Sequence, residues 1–286
     1  MVARAAWFER TVPGWHRPGG RLDVSRRWLV GLALGSGVSS GAYRLQSLTA
    51  DGAAAATLVG MVLFARGGAS ATAALLTFFV SSSALSRFRA AAKSGSQAKG
   101  GRRDAWQVLA NGGWATLWAA VGGPRGLGGC IGGLAAAAAD TWGTEIGMLA
   151  RRPPRLITSL AVVAPGTSGG VTREGLAAGV GGAFLVGLAS QLWARERSSE
   201  RLGAAMAAGV VGSLVDPLLG ATLQAAYWCR GCGKPTEQAA HAQCGQPARL
   251  VRGLSWVDND VVNGLATLAG SLVGAGLWRR VRSRHV

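Results

Sequence analysis

Gly126-Leu-Gly-Gly-Cys130-Ile-Gly-Gly-Leu-Ala-Ala-Ala-Ala-Ala139-Asp140-Thr-Trp-Gly-Thr-Glu145-Ile-Gly147 is the stretch on which the fold turns. Its first part, 126–139, carries no Asp, Glu, Lys or Arg. It is too short to cross a bilayer, which takes roughly 20 apolar residues. It becomes a full span only if Asp140 and Glu145 lie inside the membrane. A carboxylate there costs at least roughly 2.5–3.5 kcal/mol on insertion scales. Acids kept at such a cost point to function.

The rest of the chain supports reading that stretch as a span. Uncharged runs recur at 28–43, 52–65, 67–86, 105–124, 175–194, 202–215, 217–229 and 261–278. Those at 67–86, 105–124, 175–194 and 261–278 suffice on their own, and 202–215 joins 217–229 across Asp216. The runs 28–43 and 52–65 are short, tilted or re-entrant. The expectation is an all-α membrane protein, a bundle of seven or eight transmembrane helices over 28–280 with its informative loops on one face. A basic tail, 1–27, precedes this domain and a second, 281–286, follows it.

Composition agrees. The chain is 49% hydrophobic and 15% charged, with a mean hydropathy of +0.26. Its 45 glycines show no Gly-X-Y period, which excludes collagen, and its aliphatic content excludes disorder. The net charge of +17 does not read as a nucleic-acid footprint, because the cations sit in the gaps between apolar runs. Arg87, Arg89, Lys93, Lys99, Arg102 and Arg103 share one such gap. Cations so placed anchor loops at anionic headgroups or hold phosphates. With eight alternating helices, loops 44–51, 87–104, 150–173 and 227–260 fall on one side. Lys and Arg divide evenly between the two sides, so the positive-inside rule gives no orientation. The first 27 residues hold six arginines, Pro13 and Pro18 but no apolar core, and are not read as a signal peptide.

Polar groups within the apolar runs carry the chemistry. Asp140 and Thr144 are four apart and share a helix face, whereas Glu145 lies some 140° from Asp140 unless Gly143 loosens the helix. Pro217 follows Asp216 and is expected to kink or break its helix, as at membrane ligand sites. Asn259 and Asn263 share a face at the start of the last span. The bland alternative is that these groups are helix caps and interhelical hydrogen bonds. Small residues four apart, among them Gly31/Gly35, Gly128/Gly132, Gly175/Gly179 and Gly270/Gly274, point to tight helix crossings.

Two loops have the makings of phosphate sites. Lys99-Gly100-Gly101-Arg102-Arg103 leads into Gln107 and Asn111, with three cations in five residues. Pro165-Gly166-Thr167-Ser168-Gly169-Gly170-Val171-Thr172 precedes an apolar run, so its amides and hydroxyls can cradle an anion at a helix start. On that reading a Cβ at Gly169 or Gly170 would obstruct the ligand. Neither loop is a Walker A motif. Turns and caps use the same residue types. Carboxylates for Mg²⁺ beside basic glycine loops point to phosphoryl or nucleotide chemistry.

Cysteines are concentrated as well. Cys229-x2-Cys232 and His241-x2-Cys244 lie in one hydrophilic loop, 227–260, with spacing suited to a structural Zn²⁺. A disulfide or unconnected thiols are the alternatives. Cys130 reads as a packing residue, and His16 and His285 fall in the tails.

Seven motifs occur in order: Phe79-Val-Ser81-Ser82-Ser83, Gly100-Gly101-Arg102 into Gln107 and Asn111, Asp140-Thr141-Trp142-x-Thr144-Glu145-x-Gly147, Pro154-Arg155-Leu156-Ile157-Thr158, Pro165 to Thr172, Gly220-Ala221-Thr222-Leu-Gln224, and Asp258-Asn259-x-x-Val262-Asn263. Over about 28–280 the chain thereby closely resembles the transmembrane protein 19 family, which includes the plant phytyl-phosphate kinase. The resemblance implies a kinase that converts an isoprenoid monophosphate to the diphosphate with a nucleoside triphosphate, CTP favoured. In that reading Asp140, Glu145 and Asp216 hold Mg²⁺ or activate the acceptor phosphate. Lys99, Arg102 and Arg103 neutralise phosphates, Gly166, Thr167, Gly169, Gly170 and Thr172 cradle the donor, and Asn111, Asn259 and Asn263 orient oxygens. The lipid tail lies between helices in the bilayer. The competing classes are a membrane transporter and a non-catalytic scaffold.

Overall fold

The structure, a computed structural model, describes residues 23–88, 101–192, 194, 197–241 and 244–278. Most of the 1–27 tail, Lys99, Gly100 and the tail 281–286 therefore lie outside the described residues. Eight α-helices are described: α1 (Val24–Arg44), α2 (Ala50–Val62), α3 (Gly68–Arg87), α4 (Ala105–Val121), α5 (Gly123–Gly147), α6 (Arg173–Ala189), α7 (Ser199–Thr222) and α8 (Asn259–Leu277). By length and composition, three helical stretches can cross a membrane: Ala50–Arg87, Ser199–Thr222 and Asn259–Leu277.

Helix α2 continues as a π-helix, Leu63–Gly67, and Gly68, at φ +65°, ends it. Only glycine adopts that φ readily, and it lets the chain reverse. Thr49, just before α2, donates from its amide to the Arg103 carbonyl, and Ser83, near the end of α3, accepts from Arg103 Nη1. The two ends of this stretch thus meet at one residue, so α2 and α3 form a hairpin.

Helix α5 is the hub. Nearly every residue from Gly126 to Ala139 is buried, and α3, α4, α6, α7 and α8 all pack on it. Five neighbours fit only because the helix is thin. At Gly132 a Cβ would lie 2.5 Å from the Gly270 carbonyl oxygen, and at Gly175 one would lie 2.6 Å from that of Gly143. Both contacts forbid any larger residue. Cys130 is fully buried in this packing. Larger side chains face outward instead: Leu29, Leu34, Val38, Leu58, Val80 and Leu117 are all exposed. Small residues inside and branched residues outside is the arrangement that lipid, not water, rewards.

The described connections 45–49, 101–104, 148–172 and 223–258 meet at one end of the bundle, as alternation of the helices predicted. Exposed Phe88, Trp106 and Trp256 ring that end, where amphipathic aromatics favour the membrane–water interface. The loops there are not irregular. Strands β1 (Arg155–Leu156) and β2 (Gly170–Val171) pair antiparallel, and β3 (Ala226–Cys229) lies between β4 (Lys234–Thr236) and β5 (Ala248–Arg252). The all-α expectation is corrected to that extent. These segments leave the bilayer, and sheets satisfy their backbones.

A second correction concerns α7, which runs unbroken through Pro217. The missing amide leaves the Ser213 carbonyl without its helical donor, and Ser213 lines the site described next.

Candidate functional site

The four connections enclose a polar cleft of about 1310 Å³. Every described residue assigned to catalysis or phosphate from the sequence lines it: Asp140, Glu145, Asp216, Arg102, Arg103, Asn111, Gly166, Thr167, Gly169, Gly170, Thr172, Asn259 and Asn263. Lys99 lies outside the described residues.

The acids divide into two groups. Asp216 feels the charges of Asp140 and of Glu237, so α5, α7 and the segment after β4 each contribute one carboxylate to the same region. Asp216 Oδ2 is buried and has no hydrogen-bond partner among the described residues. Glu145 is buried on another side of α5, where it accepts from Ser86 Oγ at 2.5 Å and faces Arg103. The regular helical angle between Asp140 and Glu145 is thus retained, and it sends them to different partners.

Arg103 is fixed from several directions. Its Nη1 donates to Ser83 Oγ at 3.2 Å, and its amide donates to the Ser47 carbonyl at 2.9 Å. Burial pulls its pKa down and Glu145 pulls it back up, so a buried guanidinium keeps a compensating charge. Arg87 donates to Ser47 Oγ at 2.6 Å and to the Leu45 carbonyl. Arg102 does structural work: Nε and Nη2 donate to the Leu48 carbonyl, and its guanidinium covers the Tyr43 ring at 5.4 Å. That occupies two of its donors, though it still lines the cleft.

Several motif residues serve as caps. Asp104 and Gln107 form a reciprocal capping box on α4, Thr172 accepts from the Gly175 amide at the start of α6, and Asp258 accepts from the Asp260 and Val261 amides at the start of α8. Helix N-termini carry partial positive charge that favours anions. Those of α4, α6 and α8 all border this cleft. The Phe79–Ser83 motif also resolves: Ser81 Oγ accepts from Trp142 Nε1 at 3.2 Å, and Ser83 holds Arg103.

The loop 165–172 differs from expectation at Gly169. Its φ is +88°, and a Cβ would lie 2.7 Å from the backbone nitrogen of Ala221 on α7. Packing of the loop on α7 is enough by itself to require glycine there. At Gly170 a Cβ would lie 3.0 Å from the Thr167 carbonyl oxygen. The loop is tied further by Ser168, which donates to Glu237.

Sequence reading missed Glu237, Ser47, Ser86, Arg151 and Arg152 as lining residues, and singled out Gln224 and Arg87 without giving them a place in the site. Gln224 Nε2 donates to Glu237 at 3.2 Å. The signal for Arg87, Arg151 and Arg152 was present, since each is a cation at a predicted loop border. For Glu237 none was, because its position depends on the fold of the insert.

A second, apolar pocket of about 150 Å³ lies behind the basic wall, between α1, α2, α3 and α4. Leu34, Val59, Leu75 and Phe79 line it, and it shares Arg103, Gln107 and Asn111 with the polar cleft.

Beyond the cleft, the ligand atoms of Cys229, Cys232, His241 and Cys244 all lie within 4.8 Å of one another. Among the described residues it is the sole His, Cys, Asp and Glu group arranged as a compact metal site.

Comparison with known proteins agrees with this architecture. The sequence profile of the family "Integral membrane protein DUF92" matches residues 33–271. The chain belongs to that family. It is 30% identical over 282 residues to Protein PGR of Arabidopsis thaliana, covering 86% of this chain and 94% of that one. Protein PGR is of the transmembrane protein 19 type, so the recognition from ordered motifs holds. The chain is also 31% identical over 231 residues to the uncharacterized membrane protein MJ0933 of Methanocaldococcus jannaschii, covering 80% and 84% of the two chains. No solved structure matches. Like its family, the chain is an integral membrane protein.

Proposed function

We propose that this membrane protein is a kinase that transfers a phosphoryl group from a nucleoside triphosphate, CTP favoured, to an isoprenoid monophosphate. One observation carries the reading: a polar, phosphate-suited cleft and an apolar pocket share the wall Arg103, Gln107 and Asn111. An acceptor with a phosphate head and a hydrocarbon tail fits that boundary. A dry cavity of about 150 Å³ takes a six-carbon ring, so the pocket accommodates about one isoprene unit. Leu34, Val38 and Leu76 at its rim are exposed on the lipid-facing surface, where the remaining tail continues into the bilayer.

The chemistry needs little from the protein beyond placement and charge. A phosphate monoester is mostly dianionic at pH 7, its second pKa being about 6. Its oxygen attacks the γ-phosphorus, a new P–O bond forms, and the bond from that phosphorus to the bridging oxygen breaks, releasing the nucleoside diphosphate. No general base is required, so the carboxylates are better employed on a cation. Asp216 Oδ2, without a partner among the described residues and within electrostatic reach of Asp140 and Glu237, fits Mg²⁺. Bound there, Mg²⁺ would supply charge neutralisation to the donor's phosphate oxygens. Arg103, held rigid by Ser83, receives the acceptor phosphate, and the N-termini of α6 and α8 face the donor.

The test is direct. Protein purified in detergent is given Mg²⁺, each nucleoside triphosphate in turn and a panel of isoprenyl monophosphates, and diphosphate product is measured. Product with at least one pair is expected. No product, together with no nucleotide-dependent thermal shift, would return the transporter reading to first place.

A further inference from the structure

We propose that Cys229, Cys232, His241 and Cys244 bind one Zn²⁺, and that this metal holds Glu237 against the cleft. The site is built by local structure. Cys229 ends β3, the Gly233 amide closes the turn onto the Cys229 carbonyl at 2.9 Å, and β4 returns along β3. His241 and Cys244 form a second tight turn, in which the Gly245 amide donates to the His241 carbonyl at 2.8 Å. The two turns face each other. Cys229 Sγ lies 3.5 Å from Cys244 Sγ, and His241 Nδ1 lies 3.3 Å from that same sulfur.

These separations suit a tetrahedral metal. With Zn–S near 2.3 Å, sulfurs on a regular tetrahedron lie about 3.8 Å apart. A disulfide needs about 2.05 Å between sulfurs, far shorter than the separation here. Three soft thiolates and one imidazole select Zn²⁺ over Mg²⁺ or Ca²⁺, and four protein ligands leave no open position. The role is therefore structural.

What it stabilises is visible in the connections. Between the two turns runs a short segment in which Glu237 accepts from Ser168 of the glycine loop and from Gln224 beyond α7. The segment's far end is held by the Ala248 amide donating to the Ala239 carbonyl at 2.7 Å. On the bundle side, Arg252 of β5 donates to the Gly220 carbonyl at 2.9 Å. The insert buries few apolar groups, with Tyr227 and Cys229 the buried members of β3. So small a sheet needs a staple. Without the metal, the two turns lose their common point and Glu237 loses its fixed place.

The first half of the proposal is independent of the kinase reading, whereas the consequence for turnover rests on it. Elemental analysis of the reduced protein in detergent should find about one zinc per chain. Cys232→Ser and Cys244→Ser should each lower that content, and Co²⁺ in place of zinc should give thiolate charge-transfer and tetrahedral d–d absorption. Stripping the metal should open the 230–247 segment to limited proteolysis while the bundle stays intact. Negligible zinc in well-folded reduced protein, or an intramolecular disulfide in the protein as isolated, would overturn the metal site. Unchanged proteolysis after complete metal removal would overturn the link to Glu237. Glu237→Gln provides a variant with zinc retained: it should bind the full metal complement yet weaken the Mg²⁺-dependent thermal shift by nucleotide. If the wild type lacks nucleotide response but carries zinc, the kinase reading fails and the metal site stands.

Discussion

The two walls of the cleft handle charge in opposite ways. On the basic wall, Arg103 arrives already compensated, with Ser83 as acceptor and Glu145 as counter-charge. On the acidic wall, Asp216 lies within electrostatic reach of both Asp140 and Glu237, and one of its oxygens has no partner among the described residues. A buried charge with its own neighbours keeps its position whether or not ligand is bound. A set of like charges with an unmet oxygen is relieved by a proton or by a cation among them. If the proposed function holds, the basic wall is a preformed receptor, and the acidic wall is half of a site that a metal–nucleotide would complete.

The largest expected effect breaks the acidic wall. Asp216→Asn keeps size and hydrogen bonding but removes the charge that would hold a cation. Turnover should fall at least about a hundredfold, corresponding to roughly 2.7 kcal/mol of lost transition-state stabilisation. Because repulsion is relieved, the bundle should melt no lower than wild type. Asp140→Asn should behave alike, whereas lipid-phosphate binding, read by thermal shift, should survive in both. Retained turnover in both variants would remove the metal assignment.

Breaking the basic wall should give a different signature. Arg103→Gln removes the cation proposed for the acceptor and also one of the charges that compensate the buried Glu145. The KM for isoprenoid phosphate should rise about tenfold with kcat less affected. Stability should drop by about 1–3 kcal/mol, the cost of an uncompensated buried group. The double variant Arg103→Gln with Glu145→Gln should recover most of the stability and none of the affinity. If the double variant recovers affinity as well, Arg103 is a packing residue and not a phosphate ligand.

How far the sequence disclosed these walls depends on the kind of residue. The bundle was legible because hydrocarbon imposes length, and alternation then placed four loops on one face without any side-chain information. Asp140 and Asp216 stood out because their burial is costly. Glu237 did not, since it is an ordinary polar residue until the insert folds it against Ser168 and Gln224. Gly169 was legible as a special position, but its packing against α7 was not. A glycine needed for φ +88° against Ala221 looks, in sequence, like a glycine needed for a ligand. Arg102 and Gln107 read as phosphate and polar-face groups, yet much of their hydrogen bonding goes to a carbonyl and a capping box. Gly-rich and basic loops signal both structure and binding, and only the contacts separate the two.

The smallest expected effect sharpens what lies behind the basic wall. Ala56 of α2 lines the apolar pocket together with Val59, Leu75 and Phe79 and is not part of the polar cleft's lining. A phenyl ring at this position would take up much of the roughly 150 Å³ that a single small ring fills and should exclude the first isoprene unit. Ala56→Phe should therefore raise the KM for isoprenyl monophosphates a few-fold, consistent with losing about 1 kcal/mol of apolar contact. Nucleotide binding should not change, because the acidic wall lies on the other side of the cleft. The control is a short alkyl phosphate, whose chain ends before the pocket and whose KM should be the same in wild type and variant. Overpacking lowers stability by about 1–3 kcal/mol where a core cannot yield, so melting temperature is measured alongside to separate a misfolded bundle from a filled pocket. If long and short acceptors respond equally in a variant that melts normally, the tail enters by another route and the shared wall does not divide head from tail.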